Sequence, residues 1–182
     1  MADVLIVYAT VLGHTRRIAE RVASELRALG HAPTVAACDA APPMGDFAAV
    51  IVGAPVRSAA FLAPIDAYVR ANAADLARRP SALYAVCSPD EHDDRTYRQA
   101  IDGYLRALQS ATGWQPDVIA SFAGVRTHPH LGLAAQVLGH EALGEAATDW
   151  DAVSGFVEAI VHHLDRSASG PNGLSSTRPA SA

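Results

Sequence analysis

The segment ATVLGHTRR, residues 9–17, lies between a short apolar run and a helical repeat. Residues 4–8 are continuously apolar, which is typical of a β-strand that is buried on both faces. After the segment, apolar residues recur at intervals of four, four and three, as on one face of a helix, and Gly30 follows where a helix C-terminus is commonly closed. The nine residues are therefore predicted to join a strand to a helix.

The same alternation continues along the chain. Further strands are predicted at residues 34–38, 47–53, 82–86 and 118–123, and residues 39–46 are predicted to form a loop. A second helix is expected near Pro64, a third before Gly113, and a last one over residues 153–164. Strands that alternate with helices are joined in parallel by right-handed crossovers, so we expect an α/β protein built as a three-layer sandwich.

Composition limits the classes of protein. Half of the 182 residues are hydrophobic and 18% are charged, as expected for one globular domain, which we place at residues 1–166. The Ser-, Gly- and Pro-rich residues 167–182 are predicted to be a disordered tail. The formal net charge of −5 argues against a nucleic-acid partner, whose binding surface is basic. Without a signal peptide or a membrane-length apolar run, we expect a cytoplasmic protein with at most peripheral membrane contact.

The ATVLGHTRR loop has features of an anion site. It lies at the carboxyl end of a strand and at the amino end of a helix, where free N–H groups favour a phosphate. Thr10 and Thr15 could donate hydroxyl hydrogen bonds, and Gly13 would allow close approach of the backbone. The loop lacks the glycines of a dinucleotide site and the lysine of a triphosphate loop. A mononucleotide phosphate fits it best, although an ordinary strand-to-helix turn can contain the same residues.

The loop resembles the phosphate loop of the flavodoxin family, approximately Thr/Ser-x-Thr-Gly-x-Thr. Here the residues read Thr10-Val11-Leu12-Gly13-His14-Thr15, and Leu12 departs from the usual hydroxyl residue. Over residues 3–164 the chain resembles more closely the flavodoxin-like menaquinone-dependent protoporphyrinogen dehydrogenases. The segments that carry this resemblance, in order, are YATVLGHTRRIA, VIVGAPVR at 50–57, PSALYAV at 80–86, GWQPD at 113–117, AGVR at 123–126 and TDW at 148–150.

The resemblance implies a five-stranded parallel sheet of order 2-1-3-4-5, with helices on both faces and FMN as the cofactor. The FMN phosphate would lie on residues 10–15, and the isoalloxazine ring between the loop after the third strand (55–61) and the loop from residue 88 onward. It implies no essential acid or base among the side chains, and no catalytic residue is assigned. The implied cofactor-binding residues are Thr10, Val11, Leu12, Gly13, His14, Thr15, Pro55, Val56, Arg57, Ser58, Phe61, Ser88 and Pro89.

By the same resemblance, the substrate is a small molecule, protoporphyrinogen, and electrons pass to a quinone or a redox protein at the inner membrane face. Two alternatives stay open, an FMN-binding electron carrier and a module that no longer binds flavin. Leu12 keeps the last one open, as does the loop at 58–61, where Phe61 is the ring expected to stack on a flavin. Residues 127–147 contain no Lys or Arg, whereas the dehydrogenases resembled carry a basic, aromatic segment there.

Three further groups of residues could have a functional role or a purely structural one. Arg57 suits a flavin or a substrate carboxylate, or else a surface ion pair. Cys38 and Cys87 have no metal-ligand spacing and are expected to be reduced and buried. The histidines at 128, 130 and 140 do not have the spacing of a metal site, so we predict none.

Overall fold

The computed structural model describes residues 1–88, 94–124 and 148–168. Six strands and four α-helices alternate along these residues, and a single 3₁₀ turn, Met44–Asp46, lies in the stretch predicted to be a loop. In chain order the strands and α-helices are β1 (Asp3–Tyr8), α1 (His14–Ala28), β2 (Ala32–Ala37), β3 (Ala49–Arg57), β4 (Ala60–Phe61), α2 (Ala63–Leu76), β5 (Ser81–Cys87), α3 (Arg95–Thr112), β6 (Val118–Ala123) and α4 (Trp150–Ala168).

Five of the strands form one parallel sheet in the order β2-β1-β3-β5-β6. Numbered by the five parallel strands alone, this is the predicted order 2-1-3-4-5, and the predicted three-layer α/β fold is confirmed. The order reverses between β1 and β3, which pair directly from Val4 with Ala49 to Tyr8 with Gly53. The carboxyl ends of β1 and β3 therefore open side by side, and this is the position where such sheets bind ligands.

The apolar run of β1 is buried on both faces because the sheet separates two clusters of apolar side chains. Leu5 and Val7 pack on one face with α2 and α3, whereas Val4 and Ile6 pack on the other with α1 and α4. Each of these four β1 side chains is fully buried. Successive strand residues point to opposite faces, so an unbroken apolar run is what a central strand with helices on both sides requires.

Helices α1 and α3 end where the sequence predicts. Gly30 and Gly113 have φ of 84° and 72°, and they follow α1 and α3 in the left-handed conformation that closes a helix. The side chain of Asp94 accepts hydrogen bonds from the Thr96 and Tyr97 amides at the start of α3. The Asp149 carboxylate caps α4 in the same way. These caps supply partners for amides that would otherwise be unsatisfied at the helix N-termini.

The chain differs from the prediction after the third strand. Strand β3 runs to Arg57 rather than to Gly53, and it turns through Ser58 and Ala59 into the short antiparallel strand β4. Both turn residues have positive φ, 50° and 57°. These angles are those of a two-residue hairpin turn, which usually contains Asn or Gly, and the Ser-Ala sequence gave no such signal.

The last helix also exceeds its predicted length. Helix α4 continues to Ala168, so the first two residues assigned to the tail, Ser167 and Ala168, are helical. Residues 169–182 lie outside the described part of the chain.

Candidate functional site

The loop after β1 leads into α1 through a glycine that offers no side-chain cap. Gly13 has φ of 80°, stands at the N-cap of α1 and makes no side-chain hydrogen bond to the helix. Its carbonyl accepts the Arg17 amide at 3.0 Å, which begins the helical pattern. The amides of the first turn are thus left for another acceptor, and the helix dipole makes an anion the favoured one.

Two threonine side chains, those of Thr10 and Thr15, flank this turn. Thr15, in the first turn of α1, is only 2% exposed. The Thr10 hydroxyl is buried, and it has no hydrogen-bond partner among the described residues. A buried hydroxyl without a partner is unfavourable. Thr10 is therefore a donor available to a ligand in the loop.

A cavity of about 410 Å³ opens beside the loop, at the carboxyl ends of β1, β3, β5 and β6. Its volume lies within the range of small-molecule and cofactor sites. The residues that line it come from four segments of the chain and are Thr10, Val11, Leu12, His14, Thr15, Pro55, Val56, Arg57, Ser58, Val86, Cys87, Ser88 and Gly124.

Most of the predicted site residues meet at this cavity. Ten of the thirteen line it, and a further one, Gly13, lies within the loop that forms one wall. Phe61 does not line it, because its ring is 6% exposed and packs edge-on against Tyr104 with centroids 5.0 Å apart. The prediction that Phe61 stacks on a flavin therefore does not fit the structure. Pro89 lies outside the described residues.

The cavity is also lined by residues that are not among the predicted cofactor-binding residues. Val86, Cys87 and Gly124 lie at or beyond the carboxyl ends of β5 and β6. A systematic reading of every strand end would have found all three, since the ends of parallel strands share one edge. Cys87 is buried, as predicted, whereas Cys38 is half-buried.

His14 is held by a hydrogen bond to the other end of the chain. Its Nε2 atom lies 2.6 Å from Oγ1 of Thr148, which immediately precedes the N-cap of α4. Burial, followed by the neighbouring charge of Arg17, lowers the pKa of His14 below its ordinary value of 6.5. The imidazole is therefore neutral at neutral pH in the protein without ligand.

The rim of the cavity carries one charged side chain among the described lining residues, the exposed Arg57 at the end of β3. The hairpin that follows is held by α3, because the Ala59 amide donates to the Tyr97 hydroxyl at 3.3 Å. Tyr97 therefore positions the hairpin and is not among the described lining residues. A cationic rim next to apolar walls from Pro55, Val56 and Val86 suits a flat, partly apolar, anionic molecule.

Other kinds of site find less support. Within residues 1–88, 94–124 and 148–168, no group of three His, Cys, Asp or Glu side chains is placed to hold a metal ion. The histidines at 128, 130 and 140 lie outside these ranges. In the same part of the chain, no helix is long and apolar enough to span a bilayer.

Comparison with known proteins places these features in a family. A family model described as a flavodoxin domain matches residues 5–138. The protoporphyrinogen IX dehydrogenase [quinone] of Escherichia coli K12 is 29% identical over 175 residues, which cover 89% of this chain and 96% of that protein. The protein of the same name from Leishmania major is 26% identical and covers 74% of this chain and 59% of its own.

Solved structures agree with the fold. The flavodoxin of Streptococcus pneumoniae TIGR4 superposes with a TM-score of 0.56 at 17% identity, covering 90% of this chain and 98% of that one. Flavodoxin domains have a flavin-binding fold, and the uncapped helix, the Thr10 hydroxyl and the cavity are compatible with a flavin. From the family match and the fold together, the chain belongs to the flavodoxin domain family.

Proposed function

We propose that the protein binds FMN in this cavity and is an oxidoreductase that acts on protoporphyrinogen. The observation that carries the proposal is the uncapped N-terminus of α1, which opens into the cavity beside the partnerless Thr10 hydroxyl. Backbone amides and neutral hydroxyls are the donors that hold a phosphate without a bound cation. The similarity to the E. coli protoporphyrinogen IX dehydrogenase over 89% of the chain supports the choice of substrate.

Each wall of the cavity has its own part in this proposal. Residues 10–15 would hold the FMN phosphate, with Leu12 contributing its backbone rather than a hydroxyl. The flat ring would lie between residues 55–58 and the end of β5, against the apolar surfaces of Pro55, Val56 and Val86. The bound flavin would supply the redox chemistry, accepting hydride equivalents and releasing electrons to a quinone. The chain itself orients both reactants and shields the ring from water.

A quinone acceptor would bring the protein to the surface of the membrane, as a peripheral partner. Residues 127–147, where the dehydrogenases resembled carry a basic, aromatic segment, contain no Lys or Arg and lie outside the described residues. The similarity to the dehydrogenases supports a quinone as the acceptor.

The test starts with the visible absorption of the purified protein before and after incubation with FMN. We expect a flavin spectrum, bleached by anaerobic addition of protoporphyrinogen and restored by a menaquinone analogue. A flavin that chemical reductants bleach but the porphyrinogen does not would instead indicate an electron carrier. A protein that takes up no FMN at all would be a flavodoxin-like module without a cofactor, and the proposal would be wrong.

A further inference from the structure

The imidazole of His14 belongs to a directed chain of hydrogen bonds. The Thr148 hydroxyl donates to the Ala123 carbonyl at 2.8 Å, and His14 Nε2 lies 2.6 Å from the same hydroxyl oxygen. A hydroxyl has one proton to donate. Because that proton is directed to Ala123, Nε2 must carry a hydrogen and donate it to Thr148. In the neutral ring, Nδ1 is therefore a bare acceptor.

That acceptor has been left without a donor. His14 is 6% exposed, and its Nδ1 atom is buried with no hydrogen-bond partner among the described residues. The ring nevertheless lines the cavity and directly follows Gly13, at the start of α1. A lone pair at this position would repel the oxygens of a phosphate, whereas a protonated Nδ1 would be a second donor beside the loop amides.

The charges around His14 explain why it is neutral before an anion enters. Burial and then the positive charge of Arg17, one turn along α1, lower its pKa, and together they outweigh the smaller raising effect of the Ala123 carbonyl. The other titratable side chains on the described cavity wall are Arg57, which adds positive charge, and Cys87. The Asp149 carboxylate next to Thr148 is engaged by two amides of α4. An arriving phosphate would supply the missing negative charge.

We propose that His14 is a ligand of the flavin phosphate that binds it as an imidazolium. One proton from solvent adds to Nδ1 as the phosphate enters. The Nε2–H group keeps its hydrogen bond to the Thr148 hydroxyl, so Thr148 acts as the positioning residue. The inference rests on the proposed function, since it concerns the same cavity. Its consequence is that FMN binds more tightly at lower pH, in the interval between the pKa of His14 without FMN and its higher pKa with FMN.

The test measures dissociation constants of the apoprotein from about pH 5.5 to about pH 8.5, by quenching of flavin fluorescence. The variant His14→Gln keeps an amide donor for Thr148 but cannot titrate. From the alkaline to the acid end, we expect the wild-type affinity for FMN to rise about tenfold or more relative to the variant, because each unit of pKa shift changes affinity tenfold. The second ionisation of the FMN phosphate, near pH 6, affects both proteins equally.

Riboflavin, which lacks the phosphate, provides the ligand control, and its affinity should have the same pH profile in both proteins. Thr148→Val should weaken FMN binding and flatten the pH profile, and Thr148→Ser, which keeps the hydroxyl, should restore both. Calorimetry in two buffers of different ionisation enthalpy should give an uptake approaching one proton per FMN.

Two results separate this inference from the function that it extends. Superimposable FMN profiles for the wild type and His14→Gln, or the same extra acid dependence with riboflavin, would overturn the role of His14 while leaving FMN binding in place. A wild-type protein that binds neither flavin at any pH would overturn the proposed function itself.

Discussion

A Cβ atom at Gly53 would overlap the hydroxyl oxygen and the Cζ atom of Tyr84. The two residues are paired neighbours on β3 and β5. Tyr84 is fully buried, and its hydroxyl donates to the Thr15 carbonyl in the first turn of α1 at 3.1 Å. The missing side chain at Gly53 therefore lets the tyrosine connect the centre of the sheet to the first turn of α1.

Replacing Gly53 with alanine should destabilise the fold. The new methyl group would meet a fully buried ring that is packed against Phe122 and Phe156. Overpacking of this kind lowers the free energy of unfolding by about 1–3 kcal/mol. Urea denaturation of Gly53→Ala measures the loss.

A double-mutant cycle tests whether the contact with Tyr84 is the cause. Tyr84→Leu removes the hydroxyl oxygen and the two ring carbons that a Gly53 Cβ would meet. Adding Gly53→Ala to this background should lower stability by much less than it does in the wild type. Additive losses in the cycle would mean that Tyr84 is not the source of the conflict.

Thr10→Val should separate stability from binding. The hydroxyl of Thr10 is buried without a partner among the described residues, so its removal should leave the apoprotein as stable as before or more stable by about 1 kcal/mol. A hydrogen bond to a charged phosphate is worth about 1.5–3 kcal/mol, and FMN affinity should fall roughly 10- to 100-fold. Thermal unfolding without flavin and FMN titration measure the two effects.

Thr10→Ser is the matched control, because it keeps the hydroxyl and loses one methyl group. Its FMN affinity should stay within about threefold of the wild-type value. If Thr10→Val binds FMN as tightly as the wild type, the phosphate does not use this hydroxyl.

The sequence predicted the sheet, the helices and the turn from β1 into α1 because these depend on local patterns. The apolar runs indicated which strands are central, and Gly13 indicated the turn into α1. The sequence did not predict the Ser58-Ala59 hairpin, because serine and alanine have no preference for positive φ. The expected position of Phe61 beside the flavin ring does not match the cavity for the same reason. The unpredicted hairpin determines to which side the side chain of Phe61 in β4 points.

Local sequence patterns could not predict the contact between His14 and Thr148. The two residues are separated by 134 positions, and nothing in either segment signals the other. Only the folded sheet brings the end of β6 and the start of α4 against His14 at the start of α1. The tertiary fold, rather than any motif, thus determines which nitrogen of His14 carries a proton.

Ala59→Gly should stabilise the protein. Ala59 has φ of 57°, and the left-handed conformation costs a residue with a Cβ roughly 1–2 kcal/mol. Glycine avoids this strain but loses more backbone entropy on folding, so the net gain should be about 0.5–1 kcal/mol. The substitution keeps the amide that donates to Tyr97. The urea midpoint should rise accordingly.

Ala100→Gly provides the contrast, because Ala100 is exposed within α3. There glycine should lower stability by about 1 kcal/mol. The same sign of change at both positions would show that backbone strain at Ala59 is not being relieved.

The stability of the apoprotein should depend on pH through His14. Because burial and Arg17 lower its folded pKa below the unfolded value of about 6.5, the unfolded chain binds the proton more tightly. The contribution of the neutral ring is complete above about pH 6.5 and is lost as the pH falls to and through the lower folded pKa. The urea midpoint of the wild type should therefore decrease more steeply than that of His14→Gln between about pH 7 and about pH 5.

All other titratable groups are common to these two proteins, so the difference between the two curves isolates His14. Parallel curves would mean that the folded pKa of His14 is not lowered. The measurement uses no flavin, and its outcome is therefore independent of the proposed cofactor.

Arg57→Gln should weaken the use of substrate more than it weakens flavin binding. Arg57 is exposed at the rim of the cavity, and no ion pair joins it to an acidic side chain among the described residues. A guanidinium there is suited to a carboxylate group of the porphyrinogen. We expect KM for protoporphyrinogen to rise about tenfold, since an exposed charge-assisted hydrogen bond lies at the lower end of about 1.5–3 kcal/mol.

Two further variants test whether the effect is specific to Arg57. Arg57→Lys keeps the charge without the planar fork and should recover only part of the loss. Arg106→Gln removes an exposed positive charge from α3, away from the described cavity lining, and should leave KM unchanged. If Arg57→Gln instead lowers FMN affinity tenfold with KM unaltered, Arg57 contacts the flavin rather than the substrate.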